Sequence, residues 1–517
     1  MSAESKYTNR IAKGSAIIFI AAFAATVLGY VLRLFFSRTL SVEDFGLLYA
    51  GIVFIGFFGL FRDFGLGQAL VKFIPEFSVK KQGDKIKSLI VFALIFEFVI
   101  AVCIILPIVF FSDNIATGYF HNPKAVYVIY AMAFMFLFNV FVSIFQSIFQ
   151  GTQKIYEYSL VQPINTILTL VISYLLLVFY SGLDASLASV AYAIAVAATA
   201  IVLVFMFAFR RTVSNFRSLK TRISSSMVKE TFSFSLPVFI GFIGGFILGY
   251  TDTMVITYFK SLQDVAVYQV ALPTSQILWM FSSALVVVLF PLISEMWARK
   301  ETVILSDGIS MLIKLSFVII LPFALMMLSF PDFIISFLFG QQYVQGAFVL
   351  QILAIAAIFS SLWSILSAVF AGIGKPMIGT KIVLLAAAIN LVLNVVLVQY
   401  YSIAGVAFAT LLSFAVAFVV GSYYLRKHLN VRVSFGSLTK AVVGGLLMLA
   451  LIFGIKTMLV LNPWIEIWIC VISGLLFYTV YIFITKTVTR KELLILTRVN
   501  LPIPKIIIKI AHRLARD

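Results

Sequence analysis

Long apolar runs, interrupted by charged residues, proline or glycine, fill most of this 517-residue chain. A run of about 20 apolar residues is long enough to cross the hydrocarbon core of a membrane as a helix. Membrane β-barrels show short alternating segments instead, so the pattern predicts an all-α polytopic membrane protein. We predict about fourteen transmembrane helices, at residues 14–37, 46–70, 88–111, 125–150, 158–180, 185–209, 232–257, 266–294, 308–329, 345–371, 380–400, 403–425, 438–460 and 464–485.

The composition agrees with a membrane protein. Hydrophobic residues make up 62% of the chain and charged residues 11%, whereas soluble domains carry about 25% charged residues. Mean hydropathy is +1.11. No connection between predicted spans is long enough for a soluble catalytic domain. The first apolar run is too long for a cleaved signal peptide, so we expect it to be a retained span.

The basic residues predict the orientation of the chain in the cytoplasmic membrane. If the N-terminus is cytoplasmic, all but six of the 38 Lys and Arg residues fall in the termini, in cytoplasmic connections or towards the cytoplasmic ends of spans. The six exceptions are Arg33, Arg38, Arg62, Lys124, Lys260 and Lys456. By the positive-inside rule, both termini are therefore predicted to be cytoplasmic. The basic residues are scattered over many short loops and form no single face, so no nucleic-acid partner is predicted.

One stretch near the N-terminus occurs a second time near the middle of the chain. Residues 27–47 align without a gap to residues 247–267, and a second internal similarity relates residues 149–154 to residues 370–375. The identities in the first alignment include Leu28, Gly29, Tyr30, Ser41 and Asp44. Two internal similarities at nearly the same offset predict two copies of one six-helix unit. An even number of spans per copy makes the repeat parallel, as in several transporter folds.

The repeat divides the chain into five segments. We predict an N-lobe (1–209), a basic cytoplasmic linker (210–231), a C-lobe (232–425), two further spans (426–486) and a basic amphipathic cytoplasmic tail (487–517). Bulky aliphatic residues alternate with Lys and Arg in the tail, which is typical of an interfacial helix on an anionic leaflet. A basic tail that only sets the topology is the alternative.

Ionisable side chains inside spans are costly in lipid and mark pathways or ion pairs. An arginine there can hold a phosphate with two parallel hydrogen bonds. The candidate substrate-binding cations are Arg33, Arg62 and Lys260. The candidate coupling or gating carboxylates are Asp252, Asp63 and Glu97.

Each candidate also has a structural alternative. Because spans one and seven are repeat mates, we expect Arg33 and Asp252 to approach one central cavity from opposite lobes. Arg33 could instead pair with Asp63 or another carboxylate. Asp252 could satisfy backbone groups freed by a glycine bend. Glu97 could pair locally, and Arg62 with Asp63 could be a neutral pair at a bent helix end.

The sequence contains no catalytic constellation. It has no HExxH motif, no Walker-type phosphate loop and no exposed DxD pair. Its three His and two Cys residues indicate neither a metal site nor a disulfide framework. We therefore predict a protein that is not an enzyme, needs no cofactor and draws its energy from an ion gradient, the membrane potential or the gradient of its substrate.

Short motifs follow one another in a fixed order within the two predicted lobes. They are LSVEDFGLLY (40–49), DFGLGQAL (63–70), Asp252 followed by Tyr268, GIGK (372–375), INLVLN (389–394) and GVAFAT (405–410). Together they resemble the Wzx-type polysaccharide-biosynthesis flippases of the multidrug/oligosaccharidyl-lipid/polysaccharide (MOP) exporter superfamily.

This resemblance implies a V-shaped pair of lobes that alternates between inward-open and outward-open states. The implied substrate is an oligosaccharide linked to polyprenyl phosphate or pyrophosphate, used to assemble cell-surface polysaccharide or glycoprotein glycans. Its head would occupy the central cavity while its tail stays in lipid, and Arg33, Arg62 and Lys260 would contact the phosphates. The other implied partners are membrane lipids, a coupling proton or sodium ion, and a glycan polymerase or ligase.

Other functions stay open on the sequence alone. Twelve spans and a cavity rich in carboxylates would favour a multidrug/cation antiporter of the same superfamily. A peptidoglycan-precursor flippase would share the fourteen spans and the basic cavity. A membrane glycosyltransferase, polymerase or ligase would need a sizeable outward loop, and the connections at 112–124 and 330–344 are too short. A scaffold without transport activity is disfavoured by the charges inside the spans.

Overall fold

The computed structural model describes residues 3–210, 212–213, 216–431, 435–458 and 462–488. The α-helices in chain order are α1 (Ala3–Thr39), α2 (Val42–Phe57), α3 (Gly59–Asp63), α4 (Leu66–Val79), α5 (Gly83–Phe110), α6 (Ser112–Gly118), α7 (Ala125–Gly151), α8 (Ile155–Phe179), α9 (Ala185–Phe209), α10 (Ser225–Phe259), α11 (Leu262–Gln276), α12 (Trp279–Ala298), α13 (Thr302–Ser329), α14 (Pro331–Leu338), α15 (Ala347–Gly372), α16 (Pro376–Leu429), α17 (Phe435–Met458) and α18 (Pro463–Ile484). A 3-10 helix, Gln341–Gly346, precedes α15. The predicted tail at 487–517 lies outside the described residues, apart from its first two.

The prediction of an all-α polytopic membrane protein is confirmed. Within the described ranges, twelve helices are long and apolar enough to cross a membrane, and each of the fourteen predicted spans falls on helix. Helices are the expected solution, because a chain in lipid must satisfy its backbone N–H and C=O groups within the segment.

Two of the predicted spans, 380–400 and 403–425, lie within the single helical element α16. A continuous helix of its 54 residues would be about 80 Å long, far more than the ~30 Å of a hydrocarbon core. Ser402, with φ 50° and ψ −141°, breaks the element into two helices. The predicted boundary between these spans therefore coincides with the break.

The second predicted span, 46–70, is interrupted near its end. Phe64 (φ 45°) and Gly65 (φ 77°) both adopt the left-handed conformation between α3 and α4. A Cβ atom at Gly65 would lie 2.4 Å from the carbonyl oxygen of Ser235 on α10, and left-handed φ also favours glycine. The span is thus a broken helix whose break packs against α10.

The chain forms two compact units. The first comprises Met1–Gln269, Leu338–Tyr343 and Asn394–Ile403. Within it, α7 packs against α2, α4, α5, α8 and α9, and many of its Ala, Val, Ile and Phe side chains are buried in these contacts. The lobe boundary predicted at 210–231 stays a prediction.

The second unit comprises Val270–Phe337, Val344–Leu393 and Ala404–Asp517. Among its described helices, α15 packs against α12 and α13, while α17 packs against α13 and α18. Close approach of α17 to α13 depends on Gly445, where a Cβ atom would lie 2.6 Å from Leu325 Cδ1.

The two copies of the sequence repeat begin their second helix in the same way. Before α2, Ser41 Oγ accepts a hydrogen bond from the Asp44 N–H (3.1 Å) and donates one to the Asp44 carboxylate (2.6 Å). Ser261 and Asp264 make the same two bonds at the start of α11, at 3.1 and 2.7 Å. Both pairs cap the free N–H groups of a helix start. Identities found in the sequence thus correspond to equivalent local structure.

These two helix starts also touch each other. A Cβ atom at Gly46 on α2 would lie 1.8 Å from the carbonyl oxygen of Leu262 and 3.3 Å from the backbone nitrogen of Ala266. Gly46 and Ala266 are repeat mates in the alignment of residues 27–47 with residues 247–267. Only glycine at position 46 permits this backbone contact.

Candidate transport site

Arg62 and Glu97 form a buried ion pair between α3 and α5. Arg62 Nε lies 3.5 Å from Glu97 Oε2, and the two side chains are 7% and 0% exposed. The guanidinium also donates to three acceptors on α7: the Phe136 carbonyl oxygen (3.3 Å), Ser143 Oγ (3.1 Å) and Asn139 Oδ1 (3.5 Å). A buried charge is tolerated when it is paired and hydrogen-bonded. These five residues, the Arg62 cluster, pair the charge and tie three helices together, and of their buried side-chain atoms only Arg62 Nε and Glu97 Oε1 have no hydrogen-bond partner.

Asp63 caps the helix that follows the break. Its carboxylate accepts hydrogen bonds from the backbone N–H groups of Gly65 at 3.1 Å and Gly67 at 2.8 Å. These groups lie at the start of α4, where backbone N–H groups have no acceptor inside the helix. Both oxygens of Asp63 therefore stabilise the broken helix directly.

Arg33 lies on α1, half-buried and held by two residues of other helices. Its Nη1 donates to Gln269 Oε1 at 2.9 Å and to the Gln269 carbonyl oxygen. Its guanidinium carbon lies 4.0 Å from the centre of the Tyr49 ring, a cation–π contact. A guanidinium has five N–H donors, and both hydrogen bonds use Nη1. The side chain is fixed in place, while Nε and Nη2 can bind an oxyanion.

The residues around Arg33 come from equivalent positions of the two repeat copies. At the offset that relates Leu28 to Leu248, Thr253 is the repeat mate of Arg33, and Gln269 is the mate of Tyr49. Gln269 Nε2 donates to Thr253 Oγ1 at 2.7 Å, and both residues are buried. We call Arg33, Tyr49, Thr253 and Gln269 the Arg33 cluster. It joins the first repeat to the second through one guanidinium.

Asp252 lies at the centre of a second buried polar cluster. Its Oδ2 accepts a hydrogen bond from the Tyr268 hydroxyl at 2.6 Å, and its Oδ1 accepts one from Asn394 Nδ2 at 2.7 Å. All three residues are at most 4% exposed. Hydrogen bonds to both carboxylate oxygens lower the cost of burying the charge. These residues are the Asp252 cluster.

The two clusters share the helix α11. Its consecutive residues Tyr268 and Gln269 bond to Asp252 and Arg33 respectively. The sequence predicted that Arg33 and Asp252 approach one cavity, and their partners are neighbours in the chain. The central cavity itself stays a prediction.

Lys260 ends α10 and is half-buried. Its backbone N–H donates to the carbonyl oxygen of Ile256 at 2.8 Å, and the capping pair Ser261 and Asp264 follows directly. Lys260 therefore stands at the junction between α10 and α11.

The connection between α6 and α7 holds α10 and α2. The Tyr119 hydroxyl donates to the carbonyl oxygen of Met254 at 3.1 Å, and Asn122 Nδ2 donates to Glu43 Oε1 at 2.7 Å. Burial raises the pKa of Tyr119, so its hydroxyl stays protonated and able to donate at ordinary pH.

The sequence identifies Arg33, Arg62, Glu97 and Asp252 as candidates, and its motifs contain Tyr268 and Asn394, but it does not predict which of these side chains bond to each other. Tyr49 and Gln269 were not predicted, because each looks like an ordinary residue of an apolar span. The offset between the repeat copies was the available signal, since it pairs Arg33 with Thr253 and Tyr49 with Gln269. Within the part of the chain that the structure describes, no three His, Cys, Asp or Glu side chains are grouped closely enough to hold a metal ion.

Comparison with known proteins identifies relatives of this chain. A family model described as polysaccharide biosynthesis protein matches residues 11–297, and a MatE model matches residues 237–396. An uncharacterised membrane protein of Methanocaldococcus jannaschii is 29% identical over 487 residues, covering 92% of this chain and 95% of its own length. The probable low-salt glycan biosynthesis flippase Agl15 of Haloferax volcanii is 27% identical over 469 residues, covering 91% and 95%.

A solved structure is similar along most of the chain. The lipid II flippase MurJ in an inward closed conformation superposes with a TM-score of 0.74. The match covers 91% of this chain and 98% of MurJ at 16% sequence identity. At that identity the likeness concerns the fold.

These findings define the class of the protein: it is a flippase-type transporter of the MOP superfamily. The polysaccharide biosynthesis model alone covers more than half of the chain. The chain belongs to the polysaccharide biosynthesis protein family, and the resemblance seen in its motifs is confirmed.

Proposed function

We propose that this protein translocates a lipid-linked oligosaccharide across the cytoplasmic membrane by alternating access. The substrate's carrier is a polyprenyl phosphate or pyrophosphate, and the glycan serves cell-surface polysaccharide or glycoprotein assembly. The Arg33 cluster is the observation that carries this proposal, because it presents a fixed guanidinium where an oxyanion can bind. The family and the glycan flippase Agl15 among its relatives support a glycan substrate.

Each charged residue has a distinct role in this proposal. Arg33 binds the phosphate, and Lys260 is a second cation for it. Arg62 already donates to protein acceptors and is 6% exposed, so we assign it, with Glu97, to holding α3, α5 and α7 together. Asp63 stabilises the broken helix.

Asp252 is the proposed coupling group. A buried carboxylate bonded to Tyr268 and Asn394 can exchange a proton or hold a sodium ion, and either change alters the contacts between α10, α11 and α16. The transporter would then use an ion gradient and catalyse no covalent reaction. Both termini would face the cytoplasm, with membrane lipids and a glycan polymerase or ligase as partners.

The test is translocation of a fluorescent polyprenyl-pyrophosphate oligosaccharide in liposomes that contain only this protein. We expect ATP-free translocation that falls at least tenfold in Arg33→Ala, since charge-assisted hydrogen bonds contribute about 1.5–3 kcal/mol each. Arg33→Lys should retain part of the activity, because a lysine keeps the charge but not the two parallel hydrogen bonds. Imposed proton or sodium gradients, applied to wild type and Asp252→Asn, identify the coupling ion.

Arg38→Ala is the matched control. Arg38 lies on the same helix five residues later, is exposed, and donates to the carbonyl oxygen of Leu338. Its loss should leave translocation near the wild-type rate. Equal rates in wild type and Arg33→Ala would refute the role of Arg33. Export of small cations without glycan translocation would assign the chain to the cation antiporters, and a preference for peptidoglycan precursors would assign it to that flippase class.

A further inference from the structure

A cavity of about 570 Å³ lies between α13, α15, α16 and α17 in the second unit. It lies beside the contact between α13 and α17. At Gly445 the two helices are in contact, whereas Leu449, Ile452 and Lys456 line the cavity further along. These positions are three or four residues apart, so they lie on one face of α17.

The cavity is apolar along its length and basic at one end. Its lining is mostly Leu, Ile and Phe side chains, including Ile355 and Phe408. Its volume is in the usual range of small-ligand sites, about 300–1,000 Å³. The polar groups are those of Ser329, Gln351 and Lys456. This combination is complementary to an amphiphile with an apolar chain and an anionic head.

Lys456 is held at the end of the cavity by α13. Its Nζ donates to the carbonyl oxygen of Ser329 at 2.8 Å and lies 4.3 Å from the centre of the Phe330 ring. Gln351 Nε2 donates to the neighbouring carbonyl oxygen of Leu328 at 2.9 Å. These bonds satisfy carbonyl groups at the C-terminus of α13. An ammonium group has three N–H donors, so capping this helix does not use all of them.

The position of Lys456 in the chain is also unusual. It is one of six basic residues that lie neither in the termini nor in the cytoplasmic connections and cytoplasmic span ends predicted from the sequence. It lies in the last turn of α17, whose opposite end carries Lys440 on the predicted cytoplasmic side. The residues proposed to bind the transported substrate belong to the first unit, and this cavity belongs entirely to the second.

We propose that this cavity binds one acyl chain of a membrane phospholipid, with its anionic headgroup against Lys456. The apolar lining takes the chain, and the ammonium group takes the phosphate. Because the site lies at the predicted outer end of α17, the lipid comes from the outer leaflet. The bound lipid contacts α13, α15, α16 and α17 and stabilises their packing.

Native mass spectrometry of the purified full-length protein tests this proposal. We expect phosphatidylglycerol to bind more tightly than phosphatidylcholine. Lys456→Gln should weaken the phosphatidylglycerol affinity about tenfold, the value of one charge-assisted hydrogen bond. Lys456→Arg should retain it. Ile355→Trp narrows the cavity and keeps the lysine, so it should weaken binding even where capping of α13 is intact.

Lys440→Gln is the matched control, because Lys440 lies on the same helix and donates to a helix-terminal carbonyl oxygen, that of Thr485, at 3.0 Å. It should bind phosphatidylglycerol like wild type. Equal affinity in wild type, Lys456→Gln and Ile355→Trp would overturn the proposal. So would competition by glycerol phosphate alone, or stronger binding of polyprenyl phosphate than of phosphatidylglycerol. These outcomes are independent of the glycan translocation assay.

Discussion

The charged residues inside the helices of this protein differ in whether a neighbouring side chain of opposite charge compensates them. Arg62 is paired with Glu97 and donates to α7, so its charge is compensated inside the protein. Arg33 has no carboxylate in its cluster and is fixed by a glutamine and an aromatic ring. A compensated ion pair is suited to holding helices together, whereas a fixed arginine with remaining N–H donors is suited to binding an anionic ligand.

The Arg62 cluster gives a stability prediction. Glu97→Ala leaves the Arg62 guanidinium buried without its counter-charge, which typically costs about 3–5 kcal/mol. We expect a clear drop in the thermal unfolding temperature of the purified protein in detergent. Glu97→Gln keeps a hydrogen-bond acceptor, so its unfolding temperature should fall less than that of Glu97→Ala.

The double variant Arg62→Met, Glu97→Leu is the control for this interpretation. Replacing a buried ion pair by apolar residues of similar volume is often neutral, so it should recover much of the lost stability. If the double variant were less stable than Glu97→Ala, the two residues would act separately and the ion-pair explanation would be wrong.

At the scale of helices, the sequence predicts positions well and partners poorly. The sequence predicts a bent helix end at Arg62 and Asp63, and two separate apolar runs predict the boundary near Ser402. Both signals are local. The pairing of Arg62 with Glu97 depends on how α3 and α5 pack, and no local pattern encodes it. Gln269 is uncharged, so the search for ionisable residues inside spans could not find it.

The contact between α2 and α11 gives a prediction at this scale. Gly46→Ala places a Cβ atom 1.8 Å from the carbonyl oxygen of Leu262, so the helices must separate. Overpacking of this kind typically costs about 1–3 kcal/mol, and we expect a lower unfolding temperature.

Gly29→Ala is the matched control for this variant. Gly29 is also inside a helix, but a Cβ atom there meets no atom within 4 Å. Alanine is the better helix former by roughly 0.5–1 kcal/mol, so Gly29→Ala should be neutral or stabilising. Equal destabilisation by both substitutions would mean that helix propensity, and not the contact with Leu262, controls the effect.

For the whole molecule, the parallel repeat predicts which side of the membrane each connection faces. In a background with Cys103→Ser and Cys470→Ser, single cysteines at Lys81 and Glu301 should react with a membrane-impermeant maleimide only after the cells are permeabilised. Cysteines at Gly118 and Gln341 should react in intact cells. All four positions are exposed, so access to solvent does not distinguish them.

The expected result follows from an even number of spans in each repeat copy. Lys81 and Glu301 are related by the same offset as the two repeat copies, so a parallel repeat places them on the same side. Labelling of one but not the other in intact cells would contradict the parallel repeat. Labelling of both would reverse the predicted orientation of the termini.

The contact at Gly46 also bears on the ancestry of the chain. If the two halves arose by duplication of one gene, both mate positions first carried the same residue. Alanine at both could not have been packed as α2 and α11 are packed now, because a Cβ atom at position 46 has no room. If α2 and α11 were already packed as they are now, that shared residue was glycine, and the alanine at position 266 arose later.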